Sequence, residues 1–498
     1  MLQVILDKSE FEYEVGELIK LFETDFAFSG GLPESGDVLR LEFFEDKEFM
    51  GCKASYIQNA VIQQSHTEKI ELTDTIDSRM LKRESKILTK RCIYELLSRV
   101  HGTKPPWGVL TGIRPTKIVQ ELLDHDMGEE DINLELENKY KLSAEKASMA
   151  TAIAITERKY IYPPDESKIA LYVSIPFCPT RCIYCSFPSN TLKQWGHLKA
   201  EYVKTLIYEI EQTAKMVSRW GKTLESVYIG GGTPTTLSAA ELKELITSIR
   251  DSFDFSGVKE FTVEAGRVDT IDEEKLTTLR DLDIDRISIN PQTMNDATLK
   301  RIGRNHTSAD VEAAFKMARG MGFANINMDI ILGLPGEQPS DVEATLKRIA
   351  ELSPESLTVH TMAIKRASNL RSEVGEHSLA DYEEMEKMVD ISATYAKNMG
   401  LVPYYMYRQK YMLGNLENIG YARPGCECIY NMNIMEEQQS IMAVGAGGIS
   451  KLVYHDENRL ERVPNVKDIQ HYIARIDEMI KRKEEEVFKN ANTGAKRH

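Results

Sequence analysis

Tyr172-Val173-Ser174-Ile175-Pro176-Phe177-Cys178-Pro179-Thr180-Arg181-Cys182-Ile183-Tyr184-Cys185 opens as an apolar strand, breaks at a proline and delivers three cysteines in CxxxCxxC spacing. Thiolates are soft ligands for zinc or iron–sulfur clusters, and three so close together leave a coordination place for another molecule. A structural zinc site wants a fourth Cys or His and usually presents two CxxC pairs. The spacing therefore favours an iron–sulfur cluster over zinc, with plain burial of the thiols as the third reading. The chain has seven cysteines, an odd number and too few for a disulfide scaffold. In a reducing compartment such a group more often binds metal than forms disulfides.

Outward from this stretch, strand-like runs alternate with amphipathic helical runs. The strand Ile169–Ile175 is followed by a helix near 197–218, then Ser226–Ile229 and a helix over 239–252. Glu260–Glu264, a helix over 272–281, Arg286–Asn290 and a helix over 309–321 come next, then Asn325–Leu332, a helix over 339–352 and Ser356–Thr361. Repeated βα units predict a mainly parallel sheet, closed or partly closed as a barrel, with functional groups at the C-terminal strand ends. The cysteines sit at the first of those ends. The second carries Tyr228-Ile229-Gly230-Gly231-Gly232-Thr233-Pro234-Thr235, where missing side chains let backbone groups approach a ligand, or simply make a tight turn. Taken singly, Glu264 or Asp329 reads as a structural acid at a strand end. Five strand ends pointing inward together favour a site.

The CxxxCxxC loop after a first strand resembles that of the radical S-adenosylmethionine (SAM) enzymes, and the GGGTPT string resembles their coproporphyrinogen III oxidase branch. The resemblance implies that Cys178, Cys182 and Cys185 hold three irons of a 4Fe-4S cluster whose fourth iron chelates SAM. Reduction would then cleave SAM to methionine and a 5′-deoxyadenosyl radical that abstracts hydrogen from the substrate. The cofactors supply the hard chemistry and the protein supplies orientation, electron delivery and exclusion of side reactions. Residue by residue, the matched SAM contacts are Tyr172, Tyr184, Gly231, Gly232, Thr233, Glu264, Gln292, Arg304 and Asp329. Carboxylates can accept hydrogen bonds from ribose hydroxyls, and an amide or guanidinium can hold the SAM carboxylate.

The resemblance covers about 165–455 and is similar to the HemZ-type subgroup of the oxygen-independent coproporphyrinogen III oxidases, as is Trp107-Gly108-Val109-Leu110-Thr111-Gly112-Ile113-Arg114-Pro115-Thr116-Lys117. It implies oxidative decarboxylation of two propionates of a porphyrinogen substrate to vinyl groups, with electrons from a low-potential donor of flavodoxin or ferredoxin type. Pattern and resemblance together give an α/β fold: a partial parallel (β/α) radical SAM barrel over 165–380, with an N-terminal α+β module over 1–160 and a mainly helical C-terminal cover domain over 381–498 read from the run of strand-like and helical stretches. The family oxidases carry a further Cys just past the triad and a His two residues after the first matched Tyr. This chain has Phe187-Pro188 and Ser174 there. The related haem chaperones resemble ARPGxExxHNxxYW near the C-terminus. Here Tyr430, Ile434 and Met435 replace its His, Tyr and Trp, which argues against the same haem chemistry, although haem binding or another radical reaction on a tetrapyrrole stands as the alternative.

On the N-terminal side, alternation in Val38-Leu39-Arg40-Leu41 and Lys69-Ile70-Glu71-Leu72 predicts a small mixed sheet, and Leu81, Leu88, Cys92, Leu96 and Val100 fall at helical spacing. Residues 77–118 hold ten Lys and Arg against three Asp and Glu, a local excess read first as solvated helix faces. Arg114 and Lys117 are candidates to pair with substrate carboxylates or an acidic electron donor. Tyr162-Pro163-Pro164 marks the first boundary. On the C-terminal side, Cys426 and Cys428 are too close for a CxxC ligand pair and read as structural thiols. Gly445-Ala446-Gly447-Gly448 reads as a turn near SAM or a buried glycine crossing.

The net charge of −15 disfavours general binding to nucleic acid or anionic membrane. No apolar run approaches the roughly 18 residues of a membrane span, and MLQVILDKSEFE has no signal-peptide pattern, so the expected home is the cytoplasm.

Overall fold

Alternating apolar residues in the first half of the N-terminal unit, Met1–Ala154, build a five-stranded mixed sheet. In this computed structural model, residues 1–31, 36–72, 77–112, 114–187, 189–363, 379–408 and 416–489 are described; Ile113 and Pro188 lie outside them. The unit runs β1 (Leu2–Leu6), α1 (Glu12–Ile19), β2 (Phe26–Phe28), β3 (Asp37–Glu45), β4 (Phe49–Gln58), β5 (Val61–Glu71), α2 (Ser78–His101), α3 (Thr116–Leu123) and α4 (Glu129–Tyr140). Strand order is β2-β1-β3-β4-β5, with β1 parallel to both neighbours and the rest antiparallel.

Asp77 caps α2 by accepting from the N–H groups of Arg79 and Met80, and Gly102 ends it at φ 68°. Leu88, Cys92 and Leu96 are buried, and the Cys92 thiol donates to the Cys52 carbonyl at 3.1 Å, so Cys92 is a core residue. The opposite, basic face is taken up in part by ion pairs: Arg83 with Glu121 at 2.8 Å, Arg91 with Glu68 at 2.9 Å, and Lys86 with Glu14.

The division into two compact units falls after Ala154, inside the continuous helix α5 (Ala144–Ile161) and upstream of the Tyr162-Pro163-Pro164 break. The second unit, Ile155–His498, carries the βα repeats. They are β6 (Lys168–Ile175), the short pair β7 (Phe177–Cys178) and β8 (Asn190–Thr191), α6 (Leu192–Trp195), α7 (Lys199–Trp220), β9 (Thr223–Gly231), α8 (Ala239–Ser252) and β10 (Glu260–Glu264). Then come α9 (Glu273–Asp281), β11 (Arg286–Ser288), α10 (Asp296–Arg301), α11 (Ser308–Gly320), β12 (Ile326–Leu332), α12 (Pro339–Leu352) and β13 (Ser356–Thr361). Capping boxes at Ser238 and Thr307 start α8 and α11, because a hydroxyl satisfies a backbone donor there and an acid reaches back. The six strands β6, β9, β10, β11, β12 and β13 pair in that order and all in parallel.

The segment after 381, expected as a mainly helical cover, supplies helices α13 (Tyr382–Asn398), α14 (Ile429–Glu436), α15 (Ile469–Ala474) and α16 (Ile476–Val487). Its described residues also form five strands: β14 (Val402–Tyr407), β15 (Asn418–Ala422), β16 (Ser440–Val444), β17 (Ile449–Tyr454) and β18 (Arg459–Pro464). The full order is β14-β15-β13-β12-β11-β10-β9-β6-β16-β17-β18, so these strands cover both edges of the parallel core. An open parallel sheet would otherwise leave two rows of unpaired backbone groups. Among the described residues, no helix is long and apolar enough to cross a membrane.

Candidate active site

The proline after β6 ends regular pairing, and the chain then leaves the sheet as the loop that carries the three cysteines. The pair β7 and β8 closes this loop at its base, with Phe177 opposite Asn190 and Cys178 opposite Thr191. Within the loop the Cys185 N–H donates to the Cys182 carbonyl at 3.1 Å, and the Ile183 N–H donates to the Ile302 carbonyl at 3.2 Å. Cys178 and Cys182 are each 7% exposed, and Cys185 is half-buried. Burial pushes the Cys178 thiol up to about 11 and also raises Cys185. A bound metal reverses that preference by stabilising the thiolate.

The glycine turn after β9 packs against this loop closely enough to require glycine. A Cβ on Gly232 would lie 2.6 Å from the Phe177 carbonyl oxygen and 2.9 Å from Cys178 Sγ, and Gly231 has φ 112°. The Gly232 N–H donates to the Ile175 carbonyl at 2.7 Å, and the Thr233 hydroxyl donates to Cys178 Sγ at 3.6 Å.

The twelve residues matched to the cluster and SAM all line one cavity of about 370 Å³. Tyr172 and Tyr228 are register partners on β6 and β9, and their rings stack with each other and with Tyr430 of α14 at centroid distances of 6.3, 6.0 and 4.5 Å. The Tyr228 hydroxyl donates to Glu264 Oε1 at 2.7 Å; burial raises the Glu264 carboxyl to about 7 against that bond. Asp329 is half-buried, and the nearby imidazole of His360 together with the Asn327 amide outweighs desolvation and holds it below the usual range. Asn327 Nδ2 donates to Asp329 Oδ1 at 2.6 Å, and His360 Nε2 lies 3.8 Å from Asp329 Oδ2. Arg304 Nη1 donates to the Asn290 carbonyl at 2.6 Å and Nη2 to the Tyr184 hydroxyl at 3.3 Å. Gln292 sits at φ 66°, a left-handed conformation that few non-glycine residues adopt, held by two backbone bonds to β12 at 2.9 Å.

Three buried atoms in this wall, Asn290 Oδ1, Gln292 Oε1 and Arg304 Nε, have no hydrogen-bond partner among the described residues. Buried polar groups are normally satisfied, so these suit a polar ligand in the cavity. Among the described residues no three His, Cys, Asp or Glu side chains converge on a single metal ion. The three soft thiols line the cavity wall, a donor set that fits one thiolate to each of three irons.

Several lining residues escaped the sequence reading. Tyr228 lies two residues before Gly230 and shares its sheet face, so alternation alone could have found it. Arg267, Arg286 and His360 match no short pattern; they enter the cavity through contacts distant in sequence. Gly445 belongs to a buried crossing, since a Cβ there would meet the Ser174 carbonyl oxygen at 2.4 Å. Cys428 is buried and its thiol donates to Glu260 at 3.1 Å.

The family model of the radical SAM superfamily matches residues 172–349. The oxygen-independent coproporphyrinogen-III oxidase-like protein HemZ of Bacillus subtilis is 37% identical over 461 residues, covering 91% of this chain and 91% of that protein. The heme chaperone HemW of Bacillus subtilis is 31% identical over 62% of this chain and 76% of its own length. The oxygen-independent coproporphyrinogen III oxidase of Escherichia coli is 31% identical over 47% of this chain and 52% of its own length.

Proposed function

This chain belongs to the radical SAM superfamily, in a group related to the coproporphyrinogen oxidases and the haem chaperones, and we propose that it oxidatively decarboxylates coproporphyrinogen III to protoporphyrinogen IX without oxygen. The observation that carries this reading is the convergence of three thiols and nine candidate SAM contacts on one cavity at the strand ends. Cys178, Cys182 and Cys185 would hold the 4Fe-4S cluster. Gly231, Gly232 and Thr233 would receive the SAM amino group, with Tyr172, Tyr184, Glu264, Gln292, Arg304 and Asp329 around the rest of the molecule. When bound, cluster and SAM supply a radical that takes one β-hydrogen from each propionate, after which carbon dioxide leaves and one electron passes to an acceptor.

The protein's own part is placement. Glu264 as carboxylate can accept from ribose hydroxyls while Tyr228 fixes its orientation. The stacked rings of Tyr172, Tyr228 and Tyr430 form a rigid apolar wall, which limits water around the reacting carbon. Arg286 lines the cavity and bonds through Nη1 to the Cys426 carbonyl at 2.8 Å, bringing positive charge toward an anionic substrate. A flavodoxin- or ferredoxin-type donor would supply the electron.

The test is anaerobic reconstitution with iron and sulfide, then SAM, reductant and coproporphyrinogen III, with product masses read out. Loss of two carbon dioxide and four hydrogens supports the oxidase. Deoxyadenosine formation with intact propionates overturns the substrate assignment, and stoichiometric haem binding without turnover favours haem delivery.

A further inference from the structure

The Arg267 side chain has no part in the SAM contacts proposed above, yet it is 4% exposed and engages three separate partners. Nε and Nη2 grip the Asp269 carboxylate at 2.9 and 2.7 Å. Nη1 donates to the Thr180 carbonyl at 3.2 Å and hydroxyl oxygen at 3.0 Å, and reaches Cys182 Sγ at 3.7 Å. Thr180 Oγ1 itself donates to the Gly303 carbonyl at 2.9 Å. Arg267 and Asp269 lie just beyond β10, whereas Thr180 lies between the first two cysteines. One guanidinium thus ties the thiol loop to the end of β10 and sets an N–H against a sulfur.

Asp269 balances the charge of Arg267, so the group reaching Cys182 is part of a locally neutral pair and acts mainly through its N–H dipole. Hydrogen bonds to ligand sulfurs withdraw electron density and favour the reduced, more negative cluster. The planar fork matters as well as the charge: only a guanidinium can hold a carboxylate with two nitrogens while a third faces elsewhere. We propose that Arg267 is a positioning residue for the cluster, clamping the CxxxCxxC loop in its liganding shape and raising the reduction potential through its contact with the Cys182 sulfur. This rests on the reading that Cys178, Cys182 and Cys185 hold the cluster, and the experiment separates the two.

The full chain and its Arg267→Met and Arg267→Lys variants are reconstituted anaerobically, iron and sulfide are quantified, and each midpoint potential is measured by redox titration followed by electron paramagnetic resonance. At the midpoint of the unaltered protein, the reduced-to-oxidised ratio of Arg267→Met should be about tenfold smaller, about 59 mV for a one-electron couple. Arg267→Lys, which keeps the charge without the fork, should fall between. If Arg267→Met assembles no cluster, Arg267→Lys carries the comparison: a lowered potential supports the inference. A cluster at unchanged potential in the variant that assembles overturns it and leaves the ligand assignment standing. An unaltered protein that takes up no iron and sulfide overturns the ligand assignment itself, and this inference with it.

Discussion

Glu264 shows how a carboxyl drawn into a cavity wall ties stability to pH. Its carboxyl is raised to about 7 by burial, whereas its unfolded value is near 4.5. Between those pH values the folded state keeps a proton that the unfolded chain has released, so stability falls as pH rises from about 4.5 and levels out above about 7. Glu264→Gln removes this dependence while keeping a hydrogen-bond acceptor for Tyr228. In the protein without cofactors, the stability advantage of Glu264→Gln should widen by on the order of 3 kcal/mol between pH 4.5 and pH 8, read from urea midpoints. Parallel pH curves for the two proteins would contradict the assignment.

At the scale of elements, α16 is joined to α7 by a buried ionic centre. Glu209 and Lys483, 0% and 1% exposed, pair directly, and the same carboxylate accepts from Tyr472 at 2.5 Å, Asn465 at 2.8 Å and the Gly445 N–H at 2.7 Å. Removing only the cation strands a carboxylate away from water. Lys483→Met should therefore destabilise the second unit by about 3–5 kcal/mol, and adding Glu209→Gln should restore most of that loss. A small effect of the single change in chemical denaturation would mean that the three neutral donors suffice.

The same region shows where the sequence stops being legible. Helix 339–352 and the strand ending at Ile175 were readable because amphipathic period and strand alternation are local. β15 and β16 are five residues long and buried at every position, and short runs of that kind have no period that separates strand from helix. Their pairing with β13 and β6 is decided by edges that the rest of the sheet leaves open.

Across the whole molecule, chemistry confined to a short stretch was the easiest to read. The cysteines and the glycine turn could be recognised because their close spacing is imposed by the group they would hold. Arg267 could not, since its role depends on Thr180, 87 residues earlier in the chain. Tyr430 gains its place from stacking on β6 and β9, which sequence distance conceals. The local excess of Lys and Arg at 77–118 resolves in part into ion pairs on α2, and the acidic balance of −15 belongs to the chain as a whole. Three thiols and a glycine turn meet in one cavity at the strand ends. The most direct measurement is 5′-deoxyadenosine released from SAM by the anaerobically reconstituted, reduced protein, beside Cys182→Ala and Gly232→Ala. Steady release is expected from the unaltered protein and a drop of at least about 100-fold in both variants, on the order of the rate lost when an enzyme's catalytic geometry is displaced. Release undiminished in Cys182→Ala, or none from an unaltered protein that has taken up iron and sulfide, would contradict SAM cleavage at a cluster held by these thiols.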